Sequence, residues 1–340
     1  MIVGTLRHLA TRVRARRGAI QWRLISTVLG AALLAAGCAG EPVSTSGLLT
    51  LAGNQAAQGH CPQAITTYSK VLGTDATNLV ALQGRGTCYG QLGEYAQAIS
   101  DYSAVTRMTA SATDLVSLAT YEWDAGFTSQ ATSHLATASR LAGQNDNVAE
   151  LLTIAGLQLG YSASAGAALT LRRIPASGRL SVWYLLSGRL AASESDVPAM
   201  TSDFAVAVRL SPTSQLAPAL VTEANAFWTI GYYGTAIATY QRALASEGAI
   251  DRAQVYVQMG YAYDRLGSLQ TAIGAYRSAL NQGLAGGARQ ATEYAIAADF
   301  VALKQLSEAR TALAPLLHAS LLPALRDQVN ALEAVLSAGG

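Results

Sequence analysis

Internal repetition with a period near 34 residues constrains this chain more than any other feature of its sequence. A first set of residues returns after 34 positions: Gly59, Ala64, Ile65 and Tyr68 become Gly93, Ala98, Ile99 and Tyr102. A second set returns after 36 positions: Gly231, Ala236, Ile237 and Tyr240 become Gly267, Ala272, Ile273 and Tyr276. Periods of this length are typical of arrays in which each structural unit packs on the next.

Each repeated unit is predicted to be a pair of antiparallel helices. Apolar residues recur at intervals of three and four, which is the helical period. Small residues such as Gly86 and Ala98 suit places where two helices approach closely. Gly59 and Gly93 suit the turns between helices, because glycine accepts the left-handed conformation that helix ends require. One helix pair cannot bury both of its faces, so stacking on the next pair completes the core.

Residues 253–286 contain Tyr256, Met259, Gly260 and Tyr263 before the turn at Gly267, and this copy resembles the tetratricopeptide repeat. The resemblance implies an all-α, right-handed superhelical solenoid of helix-turn-helix repeats with a C-terminal capping helix. The predicted copies are 45–78, 79–112, 113–146, 180–212, 217–250 and 253–286. Residues 147–179 are predicted to be helical from their composition alone, 288–318 form a degenerate last pair, and a capping helix follows at Leu321–Leu336.

The repeats are predicted to form an N-terminal block at 48–179 and a C-terminal block at 180–318. The segment Ser193–Pro198 interrupts one copy with loop-forming residues, and we expect it to be a joint between two blocks. Residues 319–340 are assigned to the capping helix and the tail.

The first 37 residues have the pattern of a signal peptide. Six arginines precede any acidic residue, and an uncharged run of thirteen residues, Leu24–Ala36, follows. This run is shorter than the roughly 20 residues that span a bilayer as a helix. It ends in Ala36, Gly37 and Cys38, which resembles the lipobox of bacterial lipoproteins. The alternative is an ordinary secretory signal that is cleaved elsewhere.

The lipobox resemblance implies cleavage before Cys38 and lipid attachment to that cysteine, with residues 38–47 as a lipidated tether. Such lipids provide more than the two signals that stable anchoring requires. Ala39 follows the cysteine. By the sorting rule of enteric lipoproteins, this residue favours the outer membrane of the bacterial envelope, with the protein facing the periplasm.

Removing residues 1–37 reverses the sign of the net charge. The whole chain has 23 basic and 21 acidic residues, and the first 37 residues contain six of the basic ones and none of the acidic ones. The remaining chain has 17 basic against 21 acidic residues, a formal charge of −4. Nucleic acid is therefore not an expected partner, because binding it requires a basic face.

Two further cysteines, Cys61 and Cys88, fall in the first two repeats. In an oxidising compartment they are predicted to form a disulfide, if the packing brings their α-carbons within about 7 Å. The alternative is that each packs as a free, buried, apolar side chain. Their spacing does not match a metal site or a redox Cys-x-x-Cys motif.

No set of residues predicts catalysis. Residues Gly160–Ser164 begin like a nucleophile elbow but lack its closing glycine, and His60, His134 and His318 have no partner at triad or metal-ligand spacing. We therefore expect no enzymatic activity, no cofactor and no metal, and we do not expect a small-molecule ligand.

The tetratricopeptide resemblance implies that the first helices of the repeats line a concave, partner-binding groove. The residues assigned to it are Trp123, Asn225, Trp228, Tyr261, Asp264 and Arg265, and the same register places Tyr184 and Gly188 on this face. The aromatic residues are expected to anchor a bound peptide, or alternatively to pack between repeats. The groove lacks the lysine and asparagine set with which chaperone-binding members hold a terminal carboxylate.

Together these features predict a non-catalytic scaffold that binds envelope proteins or peptides and contacts the membrane through its lipid. We expect it to assist assembly of a pilus or secretion machine, as similar repeat lipoproteins do. The alternative is an adaptor for surface-polysaccharide export or cell-wall synthesis.

Overall fold

The computed structural model of the chain describes residues 44–338. The predicted signal peptide, Cys38, residues 38–43 of the tether and the last two residues of the tail lie outside the described residues. Between 44 and 338 the chain forms seventeen α-helices and one short 3-10 helix, with no β-strand. None of the helices in this range is long and apolar enough to cross a membrane.

Sixteen of these helices form eight antiparallel hairpins, and each hairpin packs on its neighbours along the chain. We call the first helix of each hairpin the A-helix and the second the B-helix. The hairpins are α1 (Thr45–Ala57) with α2 (Cys61–Thr74), α3 (Leu79–Leu92) with α4 (Tyr95–Met108), α5 (Ala112–Asp124) with α6 (Thr128–Gln144), α7 (Val148–Gly160) with α8 (Ser164–Arg172), α9 (Ser181–Ser193) with α10 (Val197–Leu210), α11 (Thr213–Thr229) with α12 (Tyr233–Ala245), α13 (Arg252–Arg265) with α14 (Leu269–Asn281), and α15 (Gly286–Ala302) with α16 (Leu306–Leu317).

The final helix, α17 (Pro323–Ala338), covers the end of the core. Its Val329 and Leu336 are buried against the last hairpin, in a cluster that includes Phe300 and Leu313. Burying each such side chain contributes about 1.5 to 3 kcal/mol. This arrangement confirms the predicted all-helical solenoid with a C-terminal capping helix.

One packing rule recurs in all eight hairpins. A small residue on the A-helix is buried, and a large buried residue follows sixteen positions later on the B-helix. The pairs are Ala52–Tyr68, Gly86–Tyr102, Ala119–Leu135, Ala155–Leu171, Gly188–Phe204, Ala224–Tyr240, Gly260–Tyr276 and Ala297–Leu313. Where the small residue is glycine the approach is very close, since a Cβ atom added to Gly260 would lie 2.3 Å from the Tyr276 ring.

Every hairpin turn also has the same geometry. A residue with a left-handed backbone, φ between 57° and 88°, lies seven positions after the small residue: Gly59, Gly93, Gly126, Ser162, Ser195, Gly231, Gly267 and Lys304. The next backbone N–H donates to the carbonyl five residues before it, at 2.7 to 2.9 Å in all eight turns. This bond satisfies a carbonyl that the helix end would otherwise leave free.

The segment Ser193–Pro198 is one of these turns and connects α9 to α10. Ser195 takes the left-handed position, and the side chain of Asp196 accepts a hydrogen bond from the Ala199 N–H at the start of α10. Residues from Ser44 onward form one compact unit. The division into blocks at 48–179 and 180–318 stays a prediction.

Candidate partner-binding groove

Five of the six residues predicted to line the groove, all but Arg265, share a register on the A-helices: three positions before, one position after or four positions after the small residue of the hairpin. We call these positions the groove stripe. On α11 it contains Val221, Asn225 and Trp228. Val221 and Asn225 line a cavity of about 390 Å³, together with Pro218 on the same helix and Gln254 on α13. The cavity therefore lies between two successive A-helices.

Asn225 is exposed to this cavity, and a tyrosine of α12 fixes the orientation of its side chain. The Tyr240 hydroxyl donates a hydrogen bond to Asn225 Oδ1. Among the described residues the Nδ2 group has no hydrogen-bond partner, so it remains available to a ligand. Tyr102 makes the equivalent contact in the second hairpin, where its hydroxyl lies 2.9 Å from Thr87 Oγ1.

Trp228 is partly buried and packs against the core around Ala224 and Phe227. Its ring contacts Tyr233 edge-on, with the centroids 6.0 Å apart. The indole Nε1 is buried, and no acceptor among the described residues bonds it. A buried N–H without a partner is uncommon in folded proteins.

Tyr261, Asp264 and Arg265 lie together at the C-terminal end of α13. The Tyr261 ring contacts the Tyr276 ring edge-on at 5.6 Å, and the Tyr276 hydroxyl donates to Asp264 Oδ2. Arg265 is exposed. Tyr276 thus holds the side chains of Tyr261 and Asp264 in place, whereas the side chain of Arg265 is exposed.

Asp264 also contacts Asp299 of α15, which is only 8% exposed. Asp264 Oδ1 and Asp299 Oδ2 are buried, and neither accepts a hydrogen bond from a donor among the described residues. Two ionised carboxylates in contact repel each other, so protonation of one of them is favoured. Burial, and then the nearby Asp264, raise the pKa of Asp299 to about 8. Burial also raises the pKa of Asp264, against the opposing hydrogen bond from Tyr276.

Trp123 lies on α5, away from the other five groove residues on α11 and α13. Its ring stacks on Tyr161, the residue that ends α7, with centroids 4.0 Å apart and planes within 7°. One face of the indole is therefore used to join the third and fourth hairpins. Whether Trp123 also binds a partner stays a prediction.

The sequence register was wrong by one residue in the fifth hairpin. Gly188 does not line the groove, because an added Cβ would lie 3.0 Å from the Phe204 ring of α10. The groove position on α9 belongs instead to Arg189, which is partly exposed. The sixteen-residue spacing between Gly188 and Phe204 is a sequence signal that could have identified this register.

Cys61 and Cys88 are both buried as free thiols, and their side chains contact each other. Cys61 Sγ donates to Gln91 Oε1 at 3.0 Å. Burial, followed by the contact with Cys61, raises the pKa of Cys88 to about 12. The side chains of Cys61 and Cys88 are therefore close together, as a disulfide would require. The disulfide bond itself stays a prediction.

His134 has a partner that the sequence did not reveal, since its Nδ1 lies 2.7 Å from Glu122 Oε2 of the preceding helix. This pair joins the two helices of the third hairpin. Within residues 44–338 no group of three or more His, Cys, Asp or Glu side chains is arranged to hold a metal ion.

Comparison with known proteins supports the fold. A family model described as tetratricopeptide repeat matches residues 253–281. The crystal structure of a tetratricopeptide repeat protein from Parabacteroides merdae is similar with a TM-score of 0.58 and 15% identity, covering 75% of this chain and 98% of that one. Yeast Tom70 is similar with a TM-score of 0.55 and 12% identity, covering 81% of this chain and 58% of that one.

No curated protein matches this sequence. The structural similarities are too distant in sequence to carry function, but they agree with the hairpin geometry. The chain therefore has the tetratricopeptide-repeat solenoid fold that the motifs at 253–286 implied.

Proposed function

We propose that this protein is a non-catalytic scaffold that binds a segment of a partner protein in its concave groove. Lipid on Cys38 would hold it at the bacterial envelope, where it assists assembly of a pilus or secretion machine. The cavity between α11 and α13 is the observation that carries the binding role, because it combines apolar walls with a free amide at Asn225.

The chemistry of this cavity suits a polypeptide. Extended peptides present unpaired backbone carbonyls together with apolar side chains, and an amide donor at the edge of an apolar cavity can bind both. Asn225 Nδ2 and Trp228 Nε1 lie on one helix, three residues apart, and both lack an acceptor among the described residues. A bound segment would supply an acceptor to the exposed Asn225 amide.

An isosteric substitution tests the binding role without disturbing the fold. Asn225→Asp keeps the oxygen that accepts from Tyr240 and removes the Nδ2 donor. We expect partner recovery to fall at least five-fold, with a melting temperature within about 2 °C of the original. Gln241→Glu makes a similar charge change on an exposed site of the B-helix α12 and should alter neither. Loss of recovery in both variants would contradict the groove assignment.

Photocrosslinking in intact cells tests the partner. A photoreactive side chain at Gln254, inside the cavity, should capture a partner that the same group at Gln241 does not. Capture of pilus or secretion subunits supports the proposal, and capture of wall-synthesis or polysaccharide-export proteins supports the alternative. Identical products from both positions would count against binding in the groove.

The lipid anchor is tested separately. Cys38→Ser should abolish labelling by a fatty-acid analogue and leave an unprocessed precursor. If the serine variant still takes up the label, or the native protein never does, the prediction of a lipid anchor at Cys38 is wrong. The scaffold would then be a secreted protein without lipid.

A further inference from the structure

Arg189 is a cation in the middle of the groove that has no counter-ion. It occupies the groove stripe of α9, one position after Gly188, where α11 has Asn225 and α13 has Tyr261. It is partly buried, and among the described residues it makes no hydrogen bond or ion pair. Burial, with no carboxylate to oppose it, lowers the pKa of the Arg189 guanidinium.

Another partly buried arginine shows what a structural role looks like in this protein. Arg85 binds Asp101 through two hydrogen bonds of 2.7 and 2.8 Å and also donates to Ser69. The side chain of Arg85 is 23% exposed, and Arg189 is likewise partly exposed. A charge removed from water destabilises the fold unless an opposite charge compensates it. Arg189 bears this cost without compensation.

The surroundings of Arg189 along the groove stripe carry no charge. Its own helix contributes Leu185 and Ala192, the preceding A-helix contributes Gly156, and the next contributes Val221 and Asn225. Coulomb attraction is strongest where water is partly excluded and no other charges compete. Arg189 is the one charged stripe residue on α7, α9 and α11, so this part of the groove favours an anion on whatever binds there.

We propose that Arg189 binds the carboxylate of an aspartate or glutamate in the segment that occupies the groove. The proposal rests on the proposed scaffold function and specifies its ligand as an acidic side chain flanked by apolar residues. The planar guanidinium presents paired donors that match the two oxygens of a carboxylate. Successive A-helices lie about 8 to 10 Å apart, so Asn225 would contact the same segment about three residues away.

A displayed library of random twelve-residue peptides is the probe that tests this. Selection on the protein should enrich peptides with one aspartate or glutamate between apolar residues. Selection on Arg189→Gln should enrich apolar peptides without the acid. Arg209→Gln, on the exposed face of the B-helix α10, is the matched control and should enrich the same acidic peptides as the original protein.

One selected peptide then measures the contact directly. Replacing its glutamate by glutamine should weaken binding about ten-fold for the original protein and less than two-fold for Arg189→Gln. Arg189→Met should melt at the same temperature as the original protein or higher, because it removes an unpaired, partly buried charge. A lower melting temperature would assign Arg189 to the fold and overturn the proposal.

The selection outcomes separate this proposal from the function it rests on. Enrichment of apolar peptides without acids by the original protein would overturn the role of Arg189 and leave the scaffold function standing. Acid enrichment that persists in Arg189→Gln would do the same. If no peptide is enriched at all, both the proposal and the groove function fail.

Discussion

Buried polar side chains have hydrogen-bond partners in the first four hairpins, whereas several of them lack a partner among the described residues in the region from α11 to α15. In the first region these groups have partners: Arg85 binds Asp101, His134 contacts Glu122, and Thr170 bonds both Ser139 and Gln158. In the second region four buried side-chain atoms have no hydrogen bond among the described residues, namely Glu223 Oε2, Trp228 Nε1, Asp264 Oδ1 and Asp299 Oδ2. Unsatisfied buried groups are uncommon in folded proteins, and here most of them lie in the same helices as most of the residues that we propose bind a partner.

The largest loss of stability is expected in the first region, when one residue of a partly buried ion pair is replaced. Arg85→Met would leave the Asp101 carboxylate, whose side chain is 6% exposed, without its cation. We expect the free energy of unfolding to fall by about 3 kcal/mol in urea denaturation. Arg107→Met, at an exposed site on the same hairpin, should cost less than about 0.5 kcal/mol. Equal losses would remove the basis of the comparison.

In the second region the carboxyl pair predicts a dependence on pH. The folded pKa of Asp299 is raised to about 8, above its unfolded value, so its protonated form is stabilised. This contribution is complete below pH 4 or so and is lost as the pH rises to about 8. In Asp299→Asn, an amide that cannot ionise would donate to Asp264. We expect this variant to be about 2 kcal/mol more stable than the original at pH 9 and similar to it at pH 4.

Urea denaturation at pH 4, 7 and 9 measures this difference. The groups that face the pair are Tyr276 and Arg265, in addition to Asp264 itself. Asp327→Asn on α17 removes an exposed carboxyl and should leave the pH profile unchanged. A profile for Asp299→Asn parallel to that of the original protein would show that the pair does not share a proton.

Alanine at the closest contact between the two helices of a hairpin should destabilise the protein in either region. An added Cβ would lie 2.9 Å from the Tyr102 ring at Gly86 and 2.3 Å from the Tyr276 ring at Gly260. Alanine at either site should lower the melting temperature, with an overpacking cost of about 1 to 3 kcal/mol that exceeds the gain in helix propensity. Gly274→Ala has open space and should raise stability by roughly 0.5 to 1 kcal/mol. A gain at all three sites would contradict the close helix approach.

The smallest effect is expected at the buried thiol pair of the first region. Burial and Cys61 raise the pKa of Cys88 to about 12, so the neutral thiol persists at every pH up to about 10. Cys88→Ala should shift stability by about 1 kcal/mol, equally at pH 5, 7 and 9. A loss that grows with pH would mean that the thiol ionises, and the two regions would then differ less than the structure indicates.

Sequence reasoning predicted the hairpins well because their determinants are local. Helical periodicity, small residues and turn glycines all lie within one repeat of about 34 residues, and the copy at 253–286 coincides with α13 and α14. The fifth hairpin was misregistered because Ser195 occupies the turn position where most copies have glycine. Its Gly188 and Phe204 have the same sixteen-residue spacing as Gly86 and Tyr102, and the burial of all eight pairs shows that this spacing marks the close contact between the two helices.

The polar pairs of the groove were harder to predict because they join separate repeats. Asp264 was assigned to the groove, but Asp299 lies 35 residues away on another hairpin, and nothing in the spacing identifies it as a neighbour. Trp123 was assigned from its register alone, which cannot reveal that Tyr161 of the next hairpin stacks on it. The contacts between repeats depend on how the hairpins stack, and a repeated motif describes only the hairpin.

The conserved geometry of the eight turns makes this solenoid adjustable in length. Gly231 and Gly267 have the same backbone conformation, so deleting residues 232–267 would connect α11 to α14 through an unchanged turn. The new hairpin would pair Ala224 with Tyr276 at the usual sixteen-residue spacing. Its groove would be one A-helix shorter. Gene duplication or loss of whole units can therefore change which partners fit without inventing a new turn, and the turn residues mark where such cuts leave the protein foldable.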